Sequence, residues 1–341
     1  MIIEVLQKLV EGRNLTEGEA RDVMSDLMDG NLTNTQIGAM LAALRLKGET
    51  AEEMTGFAKA MREHSIRVYA KHHPLLDTCG TGGDVCSTFN ISTAAAFVVA
   101  AAGVGIAKHG NRAVSSKCGS ADVLISLGVN IDIPPLKVAQ SIDEVGIGFL
   151  FAPAHHPAMK YANVPRKELG IRTVFNALGP MTNPANAERQ IIGVFHPDFC
   201  EKMAKSLMLL GCERAMIVHG LIGMDEISTC GPTLISHLKD GRIWTETLQP
   251  EGFGVKRASI ENLNGGETPQ ENAKILRDVL SGVRGPKYDI VCVNAAAGLI
   301  LCDKAKDWRE GMELAQNLID SGEAMKVLDR LVAFTNKPFV G

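Results

Sequence analysis

Along the first 65 residues, apolar positions recur every three or four residues in four short blocks. Ile2, Val5, Leu6 and Leu9 form the first stripe, and Ala20, Val23, Met24, Leu27 and Met28 the second. Ile37, Met40, Leu41 and Leu44 form the third; Met54, Phe57 and Met61 form the fourth. This spacing marks one face of an α-helix. Thr16/Glu19, Thr33/Gln36 and Thr50/Glu53 precede the last three stripes at the offset of a reciprocal capping box. Gly30 and Gly48 follow two of them as stops. Each helix is apolar on one side only. The four are therefore predicted to form a bundle, or to set a face against a second subunit.

From Leu75 the pattern changes to short apolar runs alternating with helical stretches. Leu75-Leu76 reads as a strand running into Asp77 to Asp84, and a helix follows at about 92–102. Val104 to Ala107 is the next strand, emptying into Lys108-His109-Gly110-Asn111-Arg112. Helices are predicted at about 120–128 and 135–144, then a strand at Ile147 to Phe151 that empties into Pro153-Ala154-His155-His156. A helix at about 197–210 leads to the strand Arg214 to His219, which empties into a loop carrying Asp225-Glu226. Such alternation predicts an α/β fold with a mostly parallel central sheet. Four polar clusters follow strands, and in a parallel sheet those ends share one edge, where ligands bind.

The remainder reads as architecture. Asp240-Gly241 separates two short strands as a hairpin turn. Thr268-Pro269-Gln270-Glu271 opens a helix with a cap, an N1 proline and a capping box. Residues 289–302 fit either a strand or a helix, and 305–336 reads as two helices.

Composition narrows the class. The chain has 341 residues with 45% hydrophobic and 22% charged, which is ordinary globular composition. Lys plus Arg is 35 against 39 acidic residues, a net charge of −4, so no basic surface for nucleic acid is expected. The longest apolar run, Ala94 to Ala107, is too short for a membrane span, which needs about 20 residues. The eight cysteines show no CxxC pair, and no basic stretch precedes an apolar one near Met1. A reducing cytoplasm is the expected location.

The clusters carry the chemistry. Gly80-Thr81-Gly82-Gly83-Asp84 lies between a strand and a helix, where glycines let amides approach phosphate oxygens. Val85 stands where a dinucleotide fingerprint needs its third glycine, and no GK[ST] follows, so neither common nucleotide loop fits. A plain tight turn would look the same. Asn90, Ser92 and Thr93 start the next helix with more oxygen and amide groups than capping requires. Lys108 to Arg112, followed by Ser115, Ser116, Lys117, Gly119 and Ser120, suits a pyrophosphate or a small carboxylate. Asp225-Glu226 suits magnesium, which takes one or two carboxylates plus substrate phosphates.

Taken in order, these segments closely resemble the anthranilate phosphoribosyltransferase family. The resemblance runs through GTGGD at 80–84, NxST at 90–93, KHGNR at 108–112 and SSxxGSAD at 115–122. It continues through Arg166 to Thr173, Phe175-Asn176, Gly179-Pro180, Asn183-Pro184, Asp225-Glu226, Leu263 to Gly266 and Asn294-Ala295-Ala296. It implies a small helical domain, residues 1–65 with about 166–184, used for homodimerisation and on the acceptor side. The larger α/β domain would comprise about 74–165 and 185–341. Gly80, Gly82, Gly83, Asp84, Thr88, Asn90, Ser92, Thr93, Lys108 and Ser120 would hold phosphoribosyl pyrophosphate. Gly80, His109, Asn111, His156, Arg166 and Gly179 would line the anthranilate path. Ser92, Asp225 and Glu226 would hold Mg2+, and Lys108 and Arg166 would be the catalytic pair.

Two other readings compete with the resemblance. A pyrimidine nucleoside phosphorylase shares the architecture but uses another lysine-and-serine phosphate motif than KHGNR. A nucleic-acid-binding relative without activity should be basic and lack the acidic pair. Neither a nucleic acid nor a membrane is expected as a partner.

Overall fold

The computed structural model describes residues 2–82, 86–113 and 117–339. Helices α1 (Ile2–Val10), α2 (Glu17–Met28), α3 (Asn34–Lys47) and α4 (Ala51–Glu63) form the bundle. Thr16, Thr33 and Thr50 each close the reciprocal box expected of them. Buried Glu53 does more than cap α4: its carboxylate also accepts from Leu15 N at 2.8 Å and Lys47 Nζ at 2.9 Å, tying three connections together. α2 crosses α4 at Gly56, where a Cβ would stand 2.2 Å from the Glu17 carbonyl oxygen.

The rest of the chain winds a seven-stranded sheet. Its elements are β1 (Leu75–Gly80), α5 (Ile91–Ala101), β2 (Gly105–Gly110), α6 (Ser120–Ser126), α7 (Pro135–Val145) and β3 (Ile147–Phe151). Next come α8 (Ala152–His155), α9 (Lys160–Leu169), α10 (Phe175–Met181), β4 (Arg189–Gly193), α11 (Phe199–Leu209) and β5 (Arg214–Gly220). The hairpin β6 (Thr233–Lys239) and β7 (Arg242–Leu248) precedes α12 (Pro269–Leu280), α13 (Pro286–Leu301), α14 (Trp308–Asp320) and α15 (Glu323–Asn336). The strand order is β3-β2-β1-β4-β5-β6-β7, with the first five parallel and the hairpin antiparallel. The winding direction therefore reverses between β1 and β4, and a crevice opens beyond the carboxyl ends of those two strands.

Alternate residues on the central strands face two separate cores. Ile191, Met216 and Val218 join the cluster built by α5, α12, α13, α14 and α15. Ile192, Ala215 and Ile217 join the bundle helices and α11 on the other face. Ala162, Phe175, Leu178 and Met181 of α9 and α10 are buried in that second cluster, against the bundle. No helix among the described residues is long and apolar enough to cross a membrane.

Several elements differ from expectation. β1 reaches Gly80 and β2 reaches Gly110, so Lys108 and His109 are strand residues rather than loop residues. Their polar side chains ended the apolar run in the sequence, yet both are buried. β4 was not anticipated because Arg189 and Gln190 break its apolar character. Both are buried with partners: Arg189 Nη1 donates to Leu301 O at 2.9 Å, and Gln190 Nε2 to Pro180 O at 2.8 Å. The ambiguous stretch is helix α13, buried all round. Arg166 lies in the last turn of α9. Thr268 caps α12, but Glu271 turns outward to accept from Glu267 N at 2.6 Å, so the reciprocal half of that box is missing.

Candidate active site

The site grows out of the reversal point. Gly80 and Gly193 are paired across β1 and β4, and at Gly193 no side chain fits. A Cβ on Gly193 would fall 1.5 Å from the Asp225 carbonyl oxygen, and one on Gly80 would fall 2.5 Å from Asp225 Oδ2. The loop after β5 thus lies directly on the ends of both strands. Gly82, at φ +67°, turns its amide back to Asp225 Oδ2 at 3.0 Å. Ser92 N donates to Glu226 Oε1 at 3.2 Å, placing the second carboxylate at the amino end of α5. The glycine loop, the helix start and the acidic pair therefore meet. Gly83, Asp84, Ser115 and Ser116 lie outside the described residues.

Beneath them sits Lys108, only 2% exposed. Its ammonium donates to the Thr78 carbonyl, to Thr78 Oγ1 at 3.4 Å and to Ser92 Oγ at 3.3 Å. Burial pulls its pKa down, and Asp77 works against that pull. Asp77 is itself wholly buried. Its carboxyl is pushed up to about 6 by burial, against the hydrogen bond from Asn183 and the nearby Lys108.

The start of α5 does not behave as an ordinary cap. Asn90 makes no side-chain cap bond; its Nδ2 donates to Cys118 O at 3.1 Å instead. Asn90 Oδ1 and Thr93 Oγ1 are buried without a hydrogen-bond partner among the described residues. Unsatisfied buried polar atoms are costly, and a bound polar ligand would satisfy them. Thr88 bridges to Asn264, and Gly265 N donates to Ser87 O at 2.9 Å, so 263–265 backs the segment after the glycine loop. A cavity of about 760 Å³ opens there, lined by Ser87, Lys117, Ile222 and Asn264 among others. Ser120 Oγ donates to Asn111 O at 3.4 Å at the far side of the same edge.

A second cluster lies on the bundle side. The His109 and His156 rings stand 5.2 Å apart, both buried, and each Nε2 lacks a partner among the described residues. The backbone of Gly179 offers His109 a hydrogen bond. Arg166 is half-buried over the Phe175 ring, 5.1 Å from its centre, and makes no hydrogen bond or ion pair among the described residues. Burial lowers its pKa from the usual value. A planar cation of this kind, without an anion, suits a carboxylate. Asn111 is less available than expected, because its Oδ1 accepts from Arg112 N at 2.7 Å.

Comparison with known proteins fits this geometry. Residues 3–65 match the helical bundle domain, and residues 72–325 the a/b domain, of a glycosyl transferase family. The anthranilate phosphoribosyltransferase of Acetivibrio thermocellus is 52% identical over 336 residues, covering 98% of this chain and 97% of that one. The enzyme of that name from Desulfosudis oleivorans is 53% identical, with 98% and 99% covered. The crystal structure of the Thermus thermophilus anthranilate phosphoribosyltransferase superposes with a TM-score of 0.92 at 44% identity, covering 98% and 99%. The chain belongs to the anthranilate phosphoribosyltransferase family. The Saccharomyces cerevisiae member, solved in complex with PRPP and Mg, superposes at a TM-score of 0.88 with 32% identity, covering 98% and 97%.

Magnesium is therefore implied, and the donor set fits it. Asp225 and Glu226 would supply carboxylates, and Ser92 a hydroxyl, all hard oxygen donors. Burial pushes the Asp225 carboxyl upward, while the Gly82 amide, His219 and Arg172 oppose this. A divalent cation would offset that cost. Among the described residues no three His, Cys, Asp or Glu groups gather as a metal cage. Sparse protein donors are what magnesium accepts when phosphates complete its shell.

Some contributors to this family site were not singled out from the sequence. Gly193 is one, since its role appears only when β4 is placed beside β1. Asp122 is another: its Oδ2 accepts from Ala113 N at 2.9 Å and Gly119 N at 3.0 Å, closing the loop after β2. Its place in the GSAD motif was the available signal.

The buried histidines make stability pH-dependent. His156 is pulled down to about 4, chiefly by burial, with His155 and Arg67 adding to the effect and the Thr182 backbone opposing it. The folded protein thus refuses a proton that the unfolded chain accepts near pH 6.5. This contribution is complete above about pH 6.5 and is lost as pH falls toward 4. His156→Gln should lose less stability than the parent between pH 7.5 and 4.5, by up to about 3 kcal/mol. Urea unfolding at the two pH values measures it; equal losses would refute the assignment.

Proposed function

We propose that this chain transfers the phosphoribosyl group of 5-phosphoribosyl 1-pyrophosphate (PRPP) to the amine of anthranilate, the phosphoribosylation step of tryptophan biosynthesis. The supporting observation is the meeting of the Asp225-Glu226 loop with the glycine loop and Lys108 at the β1/β4 reversal. The bond from ribose C1 to the pyrophosphate oxygen breaks, the amine nitrogen bonds to C1, and the amine releases its proton to solvent. Mg2+ bound by Ser92, Asp225 and Glu226 supplies charge neutralisation for the leaving pyrophosphate. Lys108 stands behind Ser92 and adds fixed positive potential on the same side. Gly80, Gly82, Gly83, Asp84, Thr88, Asn90, Thr93 and Ser120 complete the phosphate side in this reading. Arg166 orients the acceptor carboxylate, with His109, His156 and Gly179 lining its approach.

The reacting carbon passes through an oxocarbenium-like state, as in glycosyl transfer generally. An aryl amine is already unprotonated near neutral pH, so the lining histidines need only stay neutral. Burial holds both below the usual imidazole range. We also infer a cytoplasmic homodimer. Its eight cysteines are free thiols. Ile3, Val10 and Leu46 on α1 and α3 are exposed at 73%, 72% and 89%, an apolar set suited to a second copy.

Three outcomes test the reading. Asp225→Asn and Glu226→Gln should each lower turnover strongly, and chelation should abolish it in the parent; full activity of the double variant without magnesium would refute the metal assignment. Arg166→Ala should raise the KM for anthranilate roughly ten- to a hundredfold, the value of a lost charge-assisted contact of about 1.5–3 kcal/mol, and leave that for PRPP nearly unchanged. Lys108→Ala should do the reverse and slow turnover. Equal shifts in both KM values would end this division of labour. Light scattering should give twice the chain mass at micromolar concentration, and Leu46→Glu should lower it; a monomeric parent would refute the dimer.

A further inference from the structure

The acidic pair sits on a loop whose own backbone bonds lie to either side of it. Gly220 and Met224 close a turn before the pair, and Ser228 N donates to Thr233 Oγ1 at 2.9 Å after it. Between these anchors, Ile227 follows Glu226 directly and is gripped from the opposite layer. Asn294, in the middle of buried helix α13, accepts from Ile227 N at 3.1 Å and donates to Ile227 O at 3.0 Å. Its remaining amide proton goes to Ile290 O at 2.9 Å, which fixes the rotamer. Asn294 is 4% exposed, so each of these bonds is made in a dry core. One side chain thus does for Ile227 what a neighbouring strand would do, satisfying donor and acceptor together. Asn294 also borders a small void with Thr78, Ser92 and Glu226, roughly the space of one water. It therefore reaches the acidic pair from below.

We propose that Asn294 is a positioning residue for the metal-binding carboxylates. By holding Ile227 it sets the height at which Glu226 meets Ser92, and so the affinity of the site for a divalent cation. This inference rests on the metal role proposed for Asp225 and Glu226. Groups behind metal ligands are worth about ten- to a hundredfold in metal affinity.

Mn2+ is the probe, with binding to the full-length protein followed by electron paramagnetic resonance in the presence of saturating PRPP and without anthranilate. Asn294→Ala should weaken Mn2+ binding by roughly tenfold or more. The isosteric Asn294→Asp keeps the acceptor for Ile227 N but loses both donated bonds, and should weaken binding as well. In assays, saturating Mg2+ should restore most of the turnover of Asn294→Ala, a split that a general loss of folding would not give. If both variants bind Mn2+ like the parent, or if neither folds, the proposal is overturned; failure to fold would mean that Asn294 holds the domain and not one loop. If the parent itself takes up no Mn2+, the metal reading falls first and this inference with it.

Discussion

Two opposite charges buried on neighbouring strands, Asp77 of β1 and Lys108 of β2, organise this molecule. Lys108 and Asp77 both lie inside, where an unpaired charge would cost several kcal/mol. Each shifts the other toward its charged form. Asp77 then spends its two oxygens on structure. One accepts from His109 N at 3.1 Å and the other from Asn183 Nδ2 at 2.8 Å. Asn183 also donates to Ala107 O at 2.8 Å. A single carboxylate therefore ties the strand carrying His109 to the segment arriving from α10, while Lys108 is held behind Ser92 by its own bonds to Thr78 and Ser92. The two halves of the site share one electrostatic anchor.

The reversal of strand order supplies the space above that anchor. β1 and β4 diverge in their connections, leaving no crossover helix over their carboxyl ends. The loop after β5 folds into this gap, and glycines at matched register positions allow it to descend to van der Waals contact with both strands. The acidic pair is consequently placed by backbone against backbone. Asn294 from the opposite layer completes the fit. Rigid strands and a buried helix carry the precision.

The legible parts of this architecture were those written in local chemistry. The three threonine capping boxes, the Asp240-Gly241 turn and the glycine loop each depend on residues a few positions apart, and all were readable in one dimension. The site was recognisable from motif order even where its geometry was not. What escaped depended on partners far along the chain. β4 was hidden because Arg189 and Gln190 look exposed until Leu301 and Pro180 are seen to receive them. Lys108 and His109 looked like a loop for the same reason. Gly193 could not be singled out, since the need for glycine arises from a loop thirty residues later. Residues 289–302 were ambiguous because a helix buried on every side has no polar face to mark its period.

Two electrostatic characters meet in the crevice, and their separation explains the order of parts. In the proposed reaction, the phosphate side combines fixed positive potential from Lys108 and the start of α5 with two carboxylates that a cation would neutralise. The proposed acceptor side has Arg166, set against an aromatic ring, and two buried imidazoles. Were those imidazoles protonated, positive charge would line the path beside the carbon that itself becomes positive in the proposed reaction. Burial prevents this by favouring the neutral rings. The same burial leaves their Nε2 atoms without partners among the described residues, which is costly. Stability is thus given up where an acceptor must pass, and regained below it through Asp77, Asn183 and the strands they hold.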